Sequence, residues 1–164
     1  MRMELIQPFI NSADAVLAQG LESPVSVENL SMEDEGYRRQ GVAVEVRITG
    51  DIEGRILFDV AQEVATSFAS RLSGMQVAGT DGLVREAVGE LANQIIGNAV
   101  TVLNDQGFQF RVHPPTVPIS DGSKGSADTE ALVMCFRTEC GIVFMNIALR
   151  YHHPWASERA AGTV

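Results

Sequence analysis

GLVREAVGELANQIIGNAVTVLN, residues 82–104, falls into two faces when its side chains are projected at about 100° per residue. Val84, Val88, Leu91, Ile95, Ala99 and Val102 recur at spacings of three and four and predict a buried helical stripe. Glu86, Glu90, Asn93, Gly97, Thr101 and Asn104 gather on the opposite side. Thr80 or Asp81 stands where a cap is needed, and Gly107 where a left-handed residue would end the helix. The chain is organised around this long amphipathic helix.

Its outward face is unusual. A helix exposed only for solubility carries Lys, Arg and Glu at paired spacings. This one has no Lys, and its single Arg, Arg85, lies off the stripe. It presents the Glu90 carboxylate one turn before the Asn93 carboxamide, with Gly97 one turn further on. Residues three apart on a helix are neighbours, their β-carbons roughly 5–6 Å from each other. A fixed anion can hold a partner's ammonium group, and a neutral amide offers both donor and acceptor to orient a water. A glycine leaves room for another surface to approach. Taken alone, so short a motif is more often a plain solvated face.

Working outward, Leu5, Phe9, Ala13 and Leu17 predict a second amphipathic helix over residues 4–19, with Pro8 early and Gly20 as its stop. Residues 24–30 read as a strand and the polar run 31–40 as an exposed turn. Val42, Val44, Val46 and Ile48 alternate with Ala43, Glu45, Arg47 and Thr49, a strand with one buried face. Gly50 and Gly54 frame a turn, and Ile56, Phe58 and Val60 form the return strand. Val64, Phe68 and Leu72 stripe a helix over 61–72, closed by Gly74.

Beyond the central helix, Phe108, Phe110 and Val112 alternate until prolines at 114, 115 and 118 confine the segment to an edge or a shaped loop. Residues 120–129 are turn-rich and predict the most mobile interior stretch. A last hairpin pairs 131–137 with 142–150, both strands nearly continuous in apolar residues, which predicts cover on both faces or an interface. A flexible tail is expected over 152–164, leaving one domain over 1–151. Helix, strand and hairpin recur in the two halves, and each hairpin carries an Arg and a Thr ahead of its turn and a Gly before its return strand. This is the pattern of a duplicated unit folded about a pseudo-twofold axis.

Composition narrows the function. With 164 residues and 45% hydrophobic content the chain can bury a real core, and its formal charge of −9 argues against phosphate-backbone binding. No apolar run reaches a membrane-spanning length, and MRMELIQPFI lacks the apolar core of a signal peptide. Cys135 and Cys140 make no disulfide framework and read as reduced thiols of a cytoplasmic protein. His113, His152 and His153 have no Cys or carboxylate at ligand spacing, so no metal site is expected. Asn98, on the flank of the apolar stripe, reads as a buried amide bonded to backbone. P-loop, nucleophile-elbow and zincin motifs are absent from the sequence.

Glu90-Leu-Ala-Asn93-Gln-Ile-Ile-Gly97-Asn-Ala99 resembles the signature helix of the CheX, CheC and FliY chemotaxis phosphatases, nearest the CheX branch. Pro8–Leu17, Val46–Phe58 and Pro114–Val117 resemble CheX-like sequences as well, so the likeness runs over residues 4–149. It implies an α+β fold of pseudo-duplicated units, with a mixed or antiparallel sheet of about six strands and helices packed on one face. It also implies an incomplete active site. A phosphorylated CheY-like receiver domain would supply the aspartyl phosphate, Mg²⁺ and a lysine, and this chain no cofactor of its own.

On the same resemblance, Glu90 pairs with the receiver lysine while Asn93 positions the attacking water. Glu86, Gln94 and Gly97 then border the partner. The implied activity is that of a CheY-P phosphatase; a non-catalytic receiver-binding module or a flagellar-switch adaptor is the alternative. Glu4-Leu-Ile-Gln7 lacks the Asn, so one site per chain is the implied condition. A homodimer would cover the apolar excess of the last hairpin.

Overall fold

Among the described residues, three helices and six strands follow one another as α1 (Met3–Leu21), β1 (Ser26–Leu30), β2 (Gly41–Gly50), β3 (Ile52–Ala61), α2 (Gln62–Ser73), α3 (Gly82–Asp105), β4 (Phe110–Val112), β5 (Leu132–Thr138) and β6 (Gly141–Tyr151). The computed structural model describes residues 3–30, 41–77, 82–116 and 132–152. The expected Thr80 or Asp81 cap, the turn at 31–40, the mobile stretch 120–129 and the tail from His153 lie outside the described residues.

The strands form one sheet in the order β1-β5-β6-β3-β2-β4, and every ladder is antiparallel. Exchanging β1, β2 and β3 for β4, β5 and β6 reverses that order without changing it. The pseudo-twofold axis expected from the repeat therefore passes between β3 and β6, which pair from Ile52↔Tyr151 to Val60↔Val143. α2 has no counterpart and joins the halves. β4 has only three residues and lies at the sheet edge, where the prolines after it do no harm.

Alternation places the core. Ile52, Ile56, Phe58 and Val60 of β3 and Val143, Met145, Ile147 and Leu149 of β6 share one buried cluster with the inner faces of all three helices. α1 contributes Leu5, Phe9, Ala13 and Leu17, as its spacing predicts. α3 contributes Val84, Val88, Leu91, Ile95 and Ala99, joined by Ala87, Ala92, Ile96 and Leu103. Burying each large aliphatic side chain contributes about 1.5–3 kcal/mol. Ser12 Oγ donates to the Ile95 carbonyl at 2.6 Å and pins α1 across the middle of α3.

Several positions depart from the sequence reading, each for a local reason. Val102 is 45% exposed, and Leu103 takes the last buried place on α3. Leu72 is half exposed at the end of α2, where Ala65 and Ala69 carry the contact beside Val64 and Phe68. Asn98 is exposed rather than a buried amide. Gly20 does not stop α1, which runs on to Leu21 and ends at Glu22 in the left-handed region (φ 51). Gly20 is instead a close-approach position: a β-carbon there would lie 2.7 Å from Phe68 Cε2.

Glu45 sits on the strand face expected to be wet, yet it is only 8% exposed. Thr116 bridges back to it through two backbone hydrogen bonds of 2.7 and 2.8 Å, while Arg55 and Arg47 approach its carboxylate at 3.8 and 4.0 Å.

Candidate functional site

The outward face of α3 carries the side chains the sequence singled out. Glu86, Glu90, Asn93, Gln94 and Gly97 are all exposed on one continuous helix. The stripe beneath them is the reason: with Ala87, Leu91, Ile95 and Ala99 turned to the core, every residue half a turn away points to solvent. Gln94 Nε2 reaches Glu90 Oε1 at 3.5 Å, the limit of a hydrogen bond, so the carboxylate stays available to a stronger donor. Asn93 makes no hydrogen bond among the described residues, and its amide is free to serve an incoming group. A β-carbon added at Gly97 would meet nothing within 4 Å. Thr101 Oγ1 donates to the Gly97 carbonyl (3.0 Å), which keeps that hydroxyl close to the helix surface.

The face carries two carboxylates, Glu86 and Glu90, and its nearest cation on the helix is the exposed Arg85. It can orient a water and hold an ammonium group. It has no nucleophile, and among the described residues no group of three or more His, Cys, Asp or Glu could hold a metal ion.

A groove of about 510 Å³ opens on the other side of the α1–α3 contact, with Glu4, Gln7 and Asn11 on one wall and Asn98, Val102 and Gln106 on the other. Sequence reading did not find it, because it exists only where two helices separated by some eighty residues meet. The signal available was the correspondence of Glu4-Leu-Ile-Gln7 with Glu90-Leu-Ala-Asn93.

Two ionisable groups with shifted pKa values lie on the sheet, Glu53 on β3 and Cys135 on β5. Burial acts to raise the Glu53 pKa, but hydrogen bonds from His152 Nδ1 (2.7 Å) and Arg150 Nε (2.8 Å) outweigh it and hold the carboxyl below its ordinary value. Burial pushes the Cys135 thiol up, so it stays protonated and inert. Cys135 and Cys140 are both free, and His113 Nε2 meets Thr49 Oγ1 at 2.9 Å. No helix among the described residues is long and apolar enough to cross a membrane.

Comparisons with known proteins agree with this geometry. The family model described as chemotaxis phosphatase CheX matches residues 42–138. The chain is similar to a CheY-P phosphatase CheX of Thermotoga maritima, 34% identical over 73 residues, which are 44% of this chain and 47% of that protein. The match thus spans about half the length of that curated relative. Among solved structures, it is similar to the CheX–CheY–BeF₃–Mg²⁺ complex of Borrelia burgdorferi, with a TM-score of 0.71 and 29% identity over 91% of this chain and 99% of that one. A CheC-like superfamily protein of a Shewanella species shares the fold at TM-score 0.79, with 20% identity over 92% and 99% of the two chains. With a six-stranded antiparallel sheet of this order and a family match over more than half its length, the chain belongs to the chemotaxis phosphatase CheX family.

Proposed function

We propose that this protein hydrolyses the aspartyl phosphate of a CheY-like receiver domain, with α3 as its half of a composite active site. The observation that carries the reading is the exposed Glu90–Asn93 pair beside an open Gly97 on a rigid helix that offers neither metal ligands nor nucleophile. Such a face can work only on a substrate that brings its own electrophile and metal. The CheX of the Borrelia complex is bound to a CheY with Mg²⁺ and beryllofluoride, a group with the shape and charge of a phosphoryl.

In this mechanism Glu90 pairs with a lysine of the receiver, while Glu86, Gln94 and Gly97 border the partner. Asn93 enters beside the phosphoryl group and holds a water in line with the scissile bond. The water oxygen bonds to phosphorus as the bond to the aspartyl oxygen breaks; the receiver carboxylate is regenerated, and the water's protons leave with or from inorganic phosphate. Phosphoryl transfer rewards positioning above all, and orienting one water is worth about 3 kcal/mol, on the order of a hundredfold in rate. Mg²⁺ comes with the receiver, and the setting is the cytoplasm.

Dephosphorylation of a phosphorylated CheY-like receiver by wild type, Asn93→Ala and Glu90→Ala tests this. Asn93→Ala keeps most of the binding and loses on the order of a hundredfold in turnover, since it removes an interaction made mainly in the transition state. Glu90→Ala weakens both. Equal turnover by Asn93→Ala and wild type ends the water-positioning role. A receiver lifetime unchanged by the wild-type protein would make the chain a binding module or adaptor instead.

The domain over 1–151 also pairs, in this reading, with a second copy through the outer sheet face. The ground is narrower than the apolar run of the last hairpin implied. Val133, Cys135, Leu57 and Ala148 are already buried within one chain, and Ile142 and Phe144 remain half-buried. Sedimentation at micromolar concentration giving one chain's mass of 17.7 kDa removes the dimer.

A further inference from the structure

We propose that Met75, just past the end of α2, and Leu83, in the first turn of α3, form an apolar anchor for the receiver domain, seating an apolar side chain of that partner to one side of the phosphoryl group. The inference rests on the phosphatase reading above and names a further part of the surface that recognises the receiver.

Among the described residues five large apolar side chains stay exposed: Met3, Leu72, Met75, Leu83 and Val102. Scattered singly, such residues need no explanation. Here three of the five flank one connection, the turn from α2 into α3. Leu83 also shares a face with the motif. At about 100° per residue it lies roughly 20° from Glu90 and about 60° from Glu86, and it precedes Asn93 by about 15 Å along the helix axis. One continuous helix thus presents an apolar contact, two carboxylates, an amide and an open glycine in succession.

Met75 is held in place rather than left loose. α2 ends on Gly74 in the left-handed region (φ 72), whose N–H returns to the Ser70 carbonyl. Ser73 Oγ accepts from the Met75 N–H at 3.2 Å, and Ser70 Oγ accepts from the Val77 N–H at 3.1 Å. Val77 turns inward and is 8% exposed, whereas Met75 is 62% exposed. An ordered segment gives up little entropy on contact, and methionine adapts its shape to a partner side chain. Leu72, three positions before Met75, widens the patch. α2 packs on α3, and Met75 precedes Leu83 by eight positions, which keeps these side chains at one corner of the molecule.

Charge alone is a poor basis for choosing a partner. An exposed carboxylate–ammonium pair is weak and screened by salt, whereas interfaces draw most of their affinity from a few well-packed side chains. The corner supplies such a contact to a face whose motif groups are polar, and it lies away from the reacting atoms. Its loss therefore raises KM and leaves kcat in place, the reverse of Asn93→Ala.

The test uses the full chain and a CheY-like receiver with Mg²⁺, carrying beryllofluoride for calorimetric titration and phosphorylated from phosphoramidate for turnover. Met75→Gln and Leu83→Gln replace an apolar side chain by a polar one of similar size. Each weakens receiver binding roughly fivefold to tenfold, makes the heat-capacity change of binding less negative, and raises KM with kcat unchanged. Met75→Leu keeps the affinity of wild type. Val102→Thr, also at an exposed apolar position but on the wall of the α1–α3 groove, changes nothing. Wild-type affinity in either glutamine variant overturns the shared anchor, and so does an equal loss in Val102→Thr. Wild-type affinity together with a lighter particle in sedimentation assigns the corner to a second copy and overturns it as well. If wild type binds the receiver without hydrolysing it, the phosphatase reading falls, and weaker binding by both glutamine variants still upholds the anchor. A wild type that binds no receiver overturns both. Thermal melts establish that Leu83→Gln folds, and Met75, the more exposed of the two, carries the test if it does not.

Discussion

Leu5, Ile6, Phe9, Ile10, Ala13 and Leu17 of α1 and Leu91, Ala92, Ile95, Ile96, Ala99 and Leu103 of α3 repeat one spacing and are all buried, and the two helices differ mainly on the side that looks away from the sheet. Among the described residues, α3 offers an amide without an internal partner and a glycine with open space around it. α1 offers an amide tied to Asn11 and a carboxylate tied to Tyr151, in a groove rather than on a flat face. The surroundings differ too: α2 packs on α3, and Gly20 near the end of α1 makes room for Phe68 of α2. The contrast separates two demands on one helix. Packing fixes the inner residues in both halves, whereas the outer residues are free to diverge without cost to the fold.

The sharpest way to break the contrast is to close the open face of α3. A β-carbon at position 97 meets nothing within 4 Å and the position is exposed, so Gly97→Leu is expected to fold, but a partner that lies against Gly97 is pushed away. Receiver binding at α3 then falls roughly a hundredfold, about 3 kcal/mol, read by titration with the beryllofluoride-loaded receiver. Unchanged affinity would mean that the partner does not approach there.

A smaller effect separates this glycine from the one in α1. Gly20→Ala drives its β-carbon into the ring of Phe68, itself only 3% exposed and unable to swing away. Overpacking of this kind costs about 1–3 kcal/mol, seen as a lower denaturant midpoint. Gly97→Ala shows the opposite sign, up to about 1 kcal/mol more stable, because alanine is the better helix former and has room. Equal effects at the two positions would deny that they play different parts.

The smallest effect concerns the clamp beside Tyr151. Arg150 and His152 flank that tyrosine and both hold Glu53, whose folded pKa lies below its ordinary value. A depressed carboxyl stabilises the fold above its unfolded pKa, and this is lost as pH falls through the folded value. Glu53→Gln is therefore less stable than wild type at neutral pH, and the two melting curves converge in acid. The exposure of Arg150 keeps the difference modest. A gap that persists at low pH would assign the loss to packing rather than charge.

How far these features can be read from residues depends on the range of the interactions behind them. The α3 stripe and the β2–β3 hairpin follow from periods of 3.6 and two, which each element carries alone. Val102 and Leu72 fit the same periodicity but lie in the last turns of their helices and remain about half exposed among the described residues. Glu45 alternates as a wet residue and is covered by Thr116, some seventy positions away. Glu90 and Asn93 were legible because a local motif and its exposure lie on one helix. The groove around Gln7 was not, since half of its wall comes from α3.

β6 has a consequence for how the molecule is made. It is the last strand among the described residues, yet it lies between β5 and β3 near the middle of the sheet. Its rungs to β3 join residues some eighty to a hundred positions apart, contacts whose loop-closure cost must be met before they stabilise anything. During synthesis β3 can pair with β2 at once, but its other edge waits for residues 143–151 of β6. Until β6 has been made the nascent chain therefore carries an open strand edge, the kind of surface to which other chains stick.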